Sequence, residues 1–211
     1  MVVFEFCAEN LTLLDKAIAA GASRIELCDN LAVGGTSPSL CVIKEALKLT
    51  SEKSVDLCVI IRPRGGDFVY TASEVDAMLT DIGAAKELGV SSFVLGALTE
   101  DAQLDRLVIQ RLLAACGDSE VVFHMAFDEL AVEDQLEAID WLASQGVARI
   151  LTRGGSLDAT LEQRFAHYHR LLAVAKGKIQ ILPGGGVTLE NRQLFLKQLG
   201  VHQLHGTRIV F

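Results

Sequence analysis

Two tripeptides of the same form lie near the N-terminus, Glu5-Phe6-Cys7 and Glu26-Leu27-Cys28. Side chains alternate between the faces of an extended strand, so each glutamate shares a face with its cysteine while Phe6 and Leu27 point the other way. Ile60, Arg62 and Arg64 share a parity too; if that parity is the inner one, two guanidiniums face the same place and could neutralise the two carboxylates. His124, followed by Asp128, and His205 add imidazoles, Gln180 adds an amide, and Arg153 adds a further cation. A histidine beside a glutamate is a general acid/base pair, and Glu5, Glu26, Arg62, His124 and His205 form the candidate catalytic set. The same carboxylates and imidazoles would suit a divalent ion such as Mn or Zn. A satisfied polar core would use similar residues, since buried Glu and Arg are often structural.

A second chemistry is written in glycine. Leu182-Pro183-Gly184-Gly185-Gly186-Val187-Thr188 runs from a strand-like segment toward a helix start, where consecutive backbone N–H groups form an anion nest. Gly206-Thr207-Arg208 adds a hydroxyl and a cation, and Gly154-Gly155 extends the same rim. Together with Arg62 and Arg64, Gly154, Gly155, Gly184, Gly185 and Gly186 form a candidate clamp for a small anionic or phosphorylated ligand. A Schiff-base mechanism is disfavoured, because Lys178 stands at a strand start.

These residues need a scaffold that brings strand ends together. Four times a glycine is followed four positions later by the first large apolar residue of a strand-like run: Gly21 with Ile25, Gly89 with Phe93, Gly146 with Ile150 and Gly200 with Leu204. Eight β-rich runs emerge, at Val2–Ala8, Arg24–Cys28, Leu57–Arg62, Phe93–Gly96, Val121–Ala126, Arg149–Thr152, Ile179–Leu182 and Gln203–Gly206. The helices between them begin near Leu11 with Asn10 as N-cap, at Pro38 behind Ser37, and at Thr71 with Glu74 in capping-box spacing. Later stripes are Val132, Leu136, Ile139 and Ala143, then Leu157, Leu161, Phe165, Tyr168 and Leu172. This alternation predicts one α/β domain over residues 1–211, a (β/α)8 TIM-type barrel with the eighth helix missing or reduced to a turn. The competing doubly wound sheet lacks a G-x-G-x-x-G after the first strand. In a barrel the active face lies where strands end, and the repeat sets His205 level with Glu26 and Arg153 level with Cys28. The Ile209-Val210-Phe211 tail and the bare flank are expected to need cover, which a homodimer or higher homo-oligomer would supply.

Composition narrows the partners. Of 211 residues half are hydrophobic and only 6% aromatic, so the core is aliphatic, as helix-covered parallel sheets are. With 19 Lys+Arg against 27 Asp+Glu, a net charge of −8 argues against nucleic acid. Apolar runs fall short of the roughly 18 residues a membrane helix needs, so no membrane partner is expected. The N-terminus has no basic segment leading an apolar one, which predicts a cytoplasmic location. Five cysteines, Cys7, Cys28, Cys41, Cys58 and Cys116, suggest neither a disulfide framework nor a zinc knuckle.

The strings RIELCDNLAVGGTSPS (Arg24–Ser39), IIRPRGGDF (Ile60–Phe68), VFHMAFD (Val122–Asp128) and RILTRGG (Arg149–Gly155) together resemble the CutC family, known as copper homeostasis proteins. The resemblance spans nearly the whole chain. It implies a TIM-type barrel, a cytoplasmic location, homo-oligomers, and Cu(I) bound by the thiols of Cys7 and Cys28. Soft thiolates do select Cu(I) over harder divalent ions. Many members carry Arg where Met125 stands and Ser where Arg153 stands. Two readings follow: a cytosolic copper homeostasis protein binding Cu(I) at the mouth of the barrel, or a barrel enzyme acting on a small anionic or phosphorylated substrate, with or without a divalent metal.

Overall fold

The alternating and helical apolar patterns resolve into strand–helix units in the computed structural model, which describes residues 2–211. The strands are β1 (Val3–Glu9), β2 (Arg24–Cys28), β3 (Asp56–Ile60), β4 (Ser92–Leu95), β5 (Glu120–Phe123), β6 (Arg149–Thr152), β7 (Gln180–Pro183) and β8 (Gln203–Gly206). Between them lie α1 (Leu14–Ala19), α2 (Leu40–Glu52), α3 (Ala72–Glu87), α4 (Arg106–Cys116), α5 (Val132–Ser144), α6 (Leu161–Ala175) and α7 (Arg192–Leu199). Every ladder is parallel, in the order β7-β6-β5-β4-β3-β2-β1-β8. The result is a nearly closed TIM-type barrel; among the described residues no ladder joins β7 to β8. No helix is long and apolar enough to cross a membrane among these residues.

Strand parity creates two apolar regions. Outward residues such as Phe6, Leu27, Val59, Phe93 and Phe123 pack with the helices, each fully buried large side chain contributing roughly 1.5–3 kcal/mol. Inward residues form a smaller cluster on the axis, including Cys7, Cys28, Cys58, Ile60, Val94 and Leu182. The inner parity is therefore the one that carries the glutamates and cysteines. Gly21, Gly89, Gly146 and Gly200 all have positive φ, so the repeat records the left-handed turn that ends a helix before the next strand.

Local chemistry sets the boundaries, and several differ from the sequence reading. The capping box on α3 is present, with Thr71 Oγ1 accepting from Glu74 N–H and the Glu74 carboxylate accepting from Thr71 N–H. Helix α2 is capped by Ser39 rather than Ser37, because Ser37 is bonded to the Arg62 backbone, Oγ accepting from Arg62 N–H at 3.0 Å. Asn10 does not cap α1; its side chain donates to Asp29 at 2.9 Å and the helix starts later. Strand β5 stops at Phe123 because His124 Nδ1 accepts the Ala126 N–H and starts a 3-10 turn over Met125–Glu129. Leu157 lies outside α6 and is exposed, and α5 buries Gln135, Ala138, Ile139 and Leu142, a face rotated from the expected stripe.

No eighth helix follows β8 among the described residues. The tail takes its place: Ile209 and Val210 are buried, Phe211 packs on Phe6 with ring centroids 5.4 Å apart, and Lys16 lies over its ring. Arg192 holds the segment by donating to the Ile209 carbonyl at 2.7 Å. The chain itself thus covers most of this tail.

Candidate metal and ligand site at the barrel mouth

Where β1, β2 and β8 meet, alternation aims Glu5, Cys7, Glu26, Cys28 and His205 at the axis. The register pairs Cys7 with Glu26 and Glu5 with His205. The Cys7 and Cys28 sulfurs are 3.8 Å apart, both buried and free. His205 Nδ1 lies 2.8 Å from Glu5 Oε1 and 3.2 Å from Glu26 Oε2. Cys7, Glu26 and His205 can each offer one ligand atom within 4.8 Å of the others.

Charge in this pocket is organised around Arg24, which donates to Glu5 from below and to Gln203 at 2.9 Å. Burial would raise the Glu5 carboxyl, but the Arg24 guanidinium and His205 outweigh it and hold it down at about 2. The hydrogen bond with Cys28 lowers the Cys7 thiol against the opposing effect of burial, and His205 helps bring it to about 6. Cys28 is pushed well above its ordinary value by the contact with Cys7 and by burial. Burial and the neighbouring Cys7 raise Glu26 to about 8, with His205 opposing. Burial disfavours the His205 cation, yet Glu26, Cys7 and Glu5 together raise it well above the ordinary imidazole range. The buried ionisable groups are thus set against one another, the Arg24 guanidinium and the His205 imidazole facing the Glu5 and Glu26 carboxyls. A low-dielectric interior tolerates such ions only when they are paired in this way.

A small cavity of about 80 Å³ opens above the thiols, lined by Cys7, Glu26, Cys28, Arg62, Phe68, His124, Met125 and His205 among others. His124 Nε2 is buried and has no partner among the described residues. Since its Nδ1 accepts from Ala126 N–H, the ring is the Nε2–H tautomer, and burial beside the Arg62 charge keeps it neutral by lowering its pKa to about 3. Through Met125 and His205 this cavity borders a second of about 170 Å³, lined by Gly185, Gly186, Val187, Thr188, Thr207 and Arg208.

The structure thus gathers Glu5, Cys7, Glu26, Cys28, Arg62, His124 and His205 in one mouth, and separates others from it. Arg62 does not neutralise the glutamates; it donates to the carbonyls of Val33, Gly35 and Gly66. Arg64 turns outward to Asp67 and Glu74. The Gly184 amide is spent on the Thr152 carbonyl and the Gly154 amide on Thr152 Oγ1, while Gly155 packs near Ala159 and Arg164. Only Gly185 and Gly186 of the five glycines line the rim cavity. Asp128 is no partner of His124: it binds Thr152 Oγ1 and Arg153, which also reaches Glu129. Gln180 lies at the opposite end of the barrel, accepting from Gln203 at 2.7 Å. Arg24 is a site residue that the motifs do not single out, although it shares the inward parity of Glu26 and Cys28. Met125 and Phe68 line the mouth because the loops after β3 and β5 fold inward, which no periodicity signals.

Comparison with known proteins agrees with this geometry. The CutC family model matches residues 2–210. A CutC family protein from Enterococcus faecalis is 50% identical over 209 residues, covering 99% of this chain and all of that protein. A copper homeostasis protein cutC homolog from Homo sapiens is 38% identical over 203 residues, covering 96% of this chain and 72% of that one. The crystal structure of CutC from Streptococcus agalactiae superposes with a TM-score of 0.95 at 47% identity, covering 99% of this chain and 100% of that one. A family model across nearly the full length and relatives at this identity leave one assignment: the chain belongs to the CutC family.

Proposed function

We propose that the protein binds Cu(I) between Cys7 and Cys28 and serves copper homeostasis. The observation that carries this reading is the pair of buried sulfurs 3.8 Å apart. Two soft donors at that separation can share one ion, and Glu26 and the His205 imidazole, once it gives up its proton, stand beside them as additional donors. Glu5 orients His205 as an outer-shell partner would. The family's copper homeostasis relatives support the same cargo. Free thiols suit a reducing compartment, so the cytosol is the proposed location. The decisive experiment is an anaerobic Cu(I) titration against a colorimetric chelator. Roughly one tight Cu(I) per chain is expected for a two-thiol site, lost in Cys7→Ser and in Cys28→Ser and kept in Cys116→Ser. Equal uptake by the wild type and the Cys7/Cys28 double variant overturns the reading.

A second reading, an enzyme for a small anionic substrate, is favoured by one observation: the unpartnered His124 Nε2–H in the thiol cavity, which borders the Gly185–Gly186 cavity through Met125 and His205. Its anion would sit on Gly185, Gly186, Thr207 and Arg208. Phosphate calorimetry on wild type and Arg208→Ala tests it, and binding unchanged by the substitution removes it.

A further inference from the structure

A large cavity lies at the other end of the barrel from the thiols. It has a volume of about 620 Å³ and opens at the base of the unpaired β7–β8 seam. That volume is in the range of small-molecule sites, of order 300–1,000 Å³. Arg24 and Arg149, at the starts of β2 and β6, form its inner wall; they are only 6% and 4% exposed. Gln180 and Lys176 stand nearer the opening, and no Asp or Glu is in the lining. Leu172, Ala175, Ile179 and Val201 supply an apolar wall.

We propose that this cavity is a second binding site, one that takes a small amphipathic carboxylate. Arg149 donates through Nη2 to Glu120, while its Nε is buried with no acceptor among the described residues. An unmet buried donor costs free energy that an acceptor from a ligand would recover. The donors available here, the Arg149 guanidinium, the Gln180 amide and the Lys176 ammonium, all call for an acceptor-rich anion. Glu5 and Glu120 already balance Arg24 and Arg149, so Lys176 is the unspent positive charge at the opening. The apolar wall selects against a bare inorganic ion and asks for a short hydrocarbon body. The site shares no ligand-facing residue with the thiol mouth and does not depend on copper binding.

The test is calorimetric titration of the full chain, without added copper, with hexanoate, 1-hexanol and inorganic phosphate. Hexanoate should bind saturably with a Kd of roughly 0.1–1 mM, as a ligand of that size can achieve. Hexanol and phosphate should each bind at least about tenfold more weakly, the loss expected when a charged hydrogen bond or the apolar contact is missing. Arg149→Met should abolish hexanoate binding. Val201→Trp, which fills the cavity while leaving every ion pair in place, should abolish it too and covers the case in which Arg149→Met does not fold. Cys7→Ser should bind hexanoate as the wild type does, whatever becomes of the copper site. The absence of saturable hexanoate binding, equal binding of hexanol or phosphate, or retention of binding in Val201→Trp overturns the proposal.

Discussion

His124 and His205 both face the mouth of the barrel, yet their environments drive them in opposite directions. His205 sits against Glu5 and Glu26, and their charges favour its protonated form and raise its pKa against the opposing effect of burial. His124 meets only the Arg62 charge and the rings of Phe68 and Phe123, and burial keeps it neutral, its pKa lowered from 6.5 to about 3. That depression has a measurable consequence. Above pH 6.5 the ring is neutral in the folded and the unfolded chain alike; below it the unfolded chain takes up a proton that the folded chain refuses. Stability is therefore lost as pH falls from 6.5 toward 3, by at most about 1.4 kcal/mol per pH unit from this one group. His124→Gln should flatten the pH dependence of urea unfolding between about pH 6.5 and 4.5 relative to the wild type, a range set by that depressed value. Parallel curves for the two proteins would mean that His124 is not held neutral by burial.

At the level of elements, two positions separate what a cap contributes from what a close approach demands. Thr71 and Glu74 close the capping box of α3 on the surface, and Glu74 also accepts from Arg64 at 2.6 Å. Thr71→Ala should cost about 1 kcal/mol by chemical denaturation, the usual value of a lost cap. Gly206 ends β8 with its missing side chain against the Val187 carbonyl, and a Cβ there would collide with backbone that no rotamer change can move. Gly206→Ala should exceed the cost of Thr71→Ala, because it forces apart β8 and the glycine-rich loop that flank His205. An alanine at 206 that cost less than one at 71 would show that this crossing is slack.

Across the whole molecule, residues 209–211 pack back onto the flank of the barrel. Ile209 and Val210 are buried, and Phe211 lies between Phe6 and Lys16 over the flank that an eighth helix would occupy. Deleting residues 209–211 removes buried aliphatic groups worth roughly 2–4 kcal/mol each. At about 2–4 °C per kcal/mol for a chain of this size, calorimetry should show Tm falling by on the order of 10 °C. A shift below about 2 °C on that same scale would show that the flank is stable without the tail. Self-association of the truncated chain, read by light scattering, should rise as the apolar flank is bared.

Much of this was legible in the linear chain, because it depended on periods and on local steric rules. Alternation placed Glu5, Cys7, Glu26 and Cys28 on one face, and the glycine repeat predicted eight strand–helix units and set His205 level with Glu26, where the two now lie 3.2 Å apart. Motifs in Arg24–Ser39 and Ile60–Phe68 carried the family. What periodicity could not express is which donor each polar group spends on which neighbour. Arg62 and Arg64 share a parity, but loop carbonyls claim one and Asp67 with Glu74 the other. The glycines of the rim are equivalent in sequence, and only the fold decides that Gly154 and Gly184 use their amides on Thr152 while Gly185 and Gly186 line a cavity. The pairing of Arg24 with Glu5 and the cavity beneath it arise from strands brought together by closure of the sheet. Hydrogen-bond partners and cavities are properties of distances between segments remote in sequence, so the tertiary structure alone could decide them.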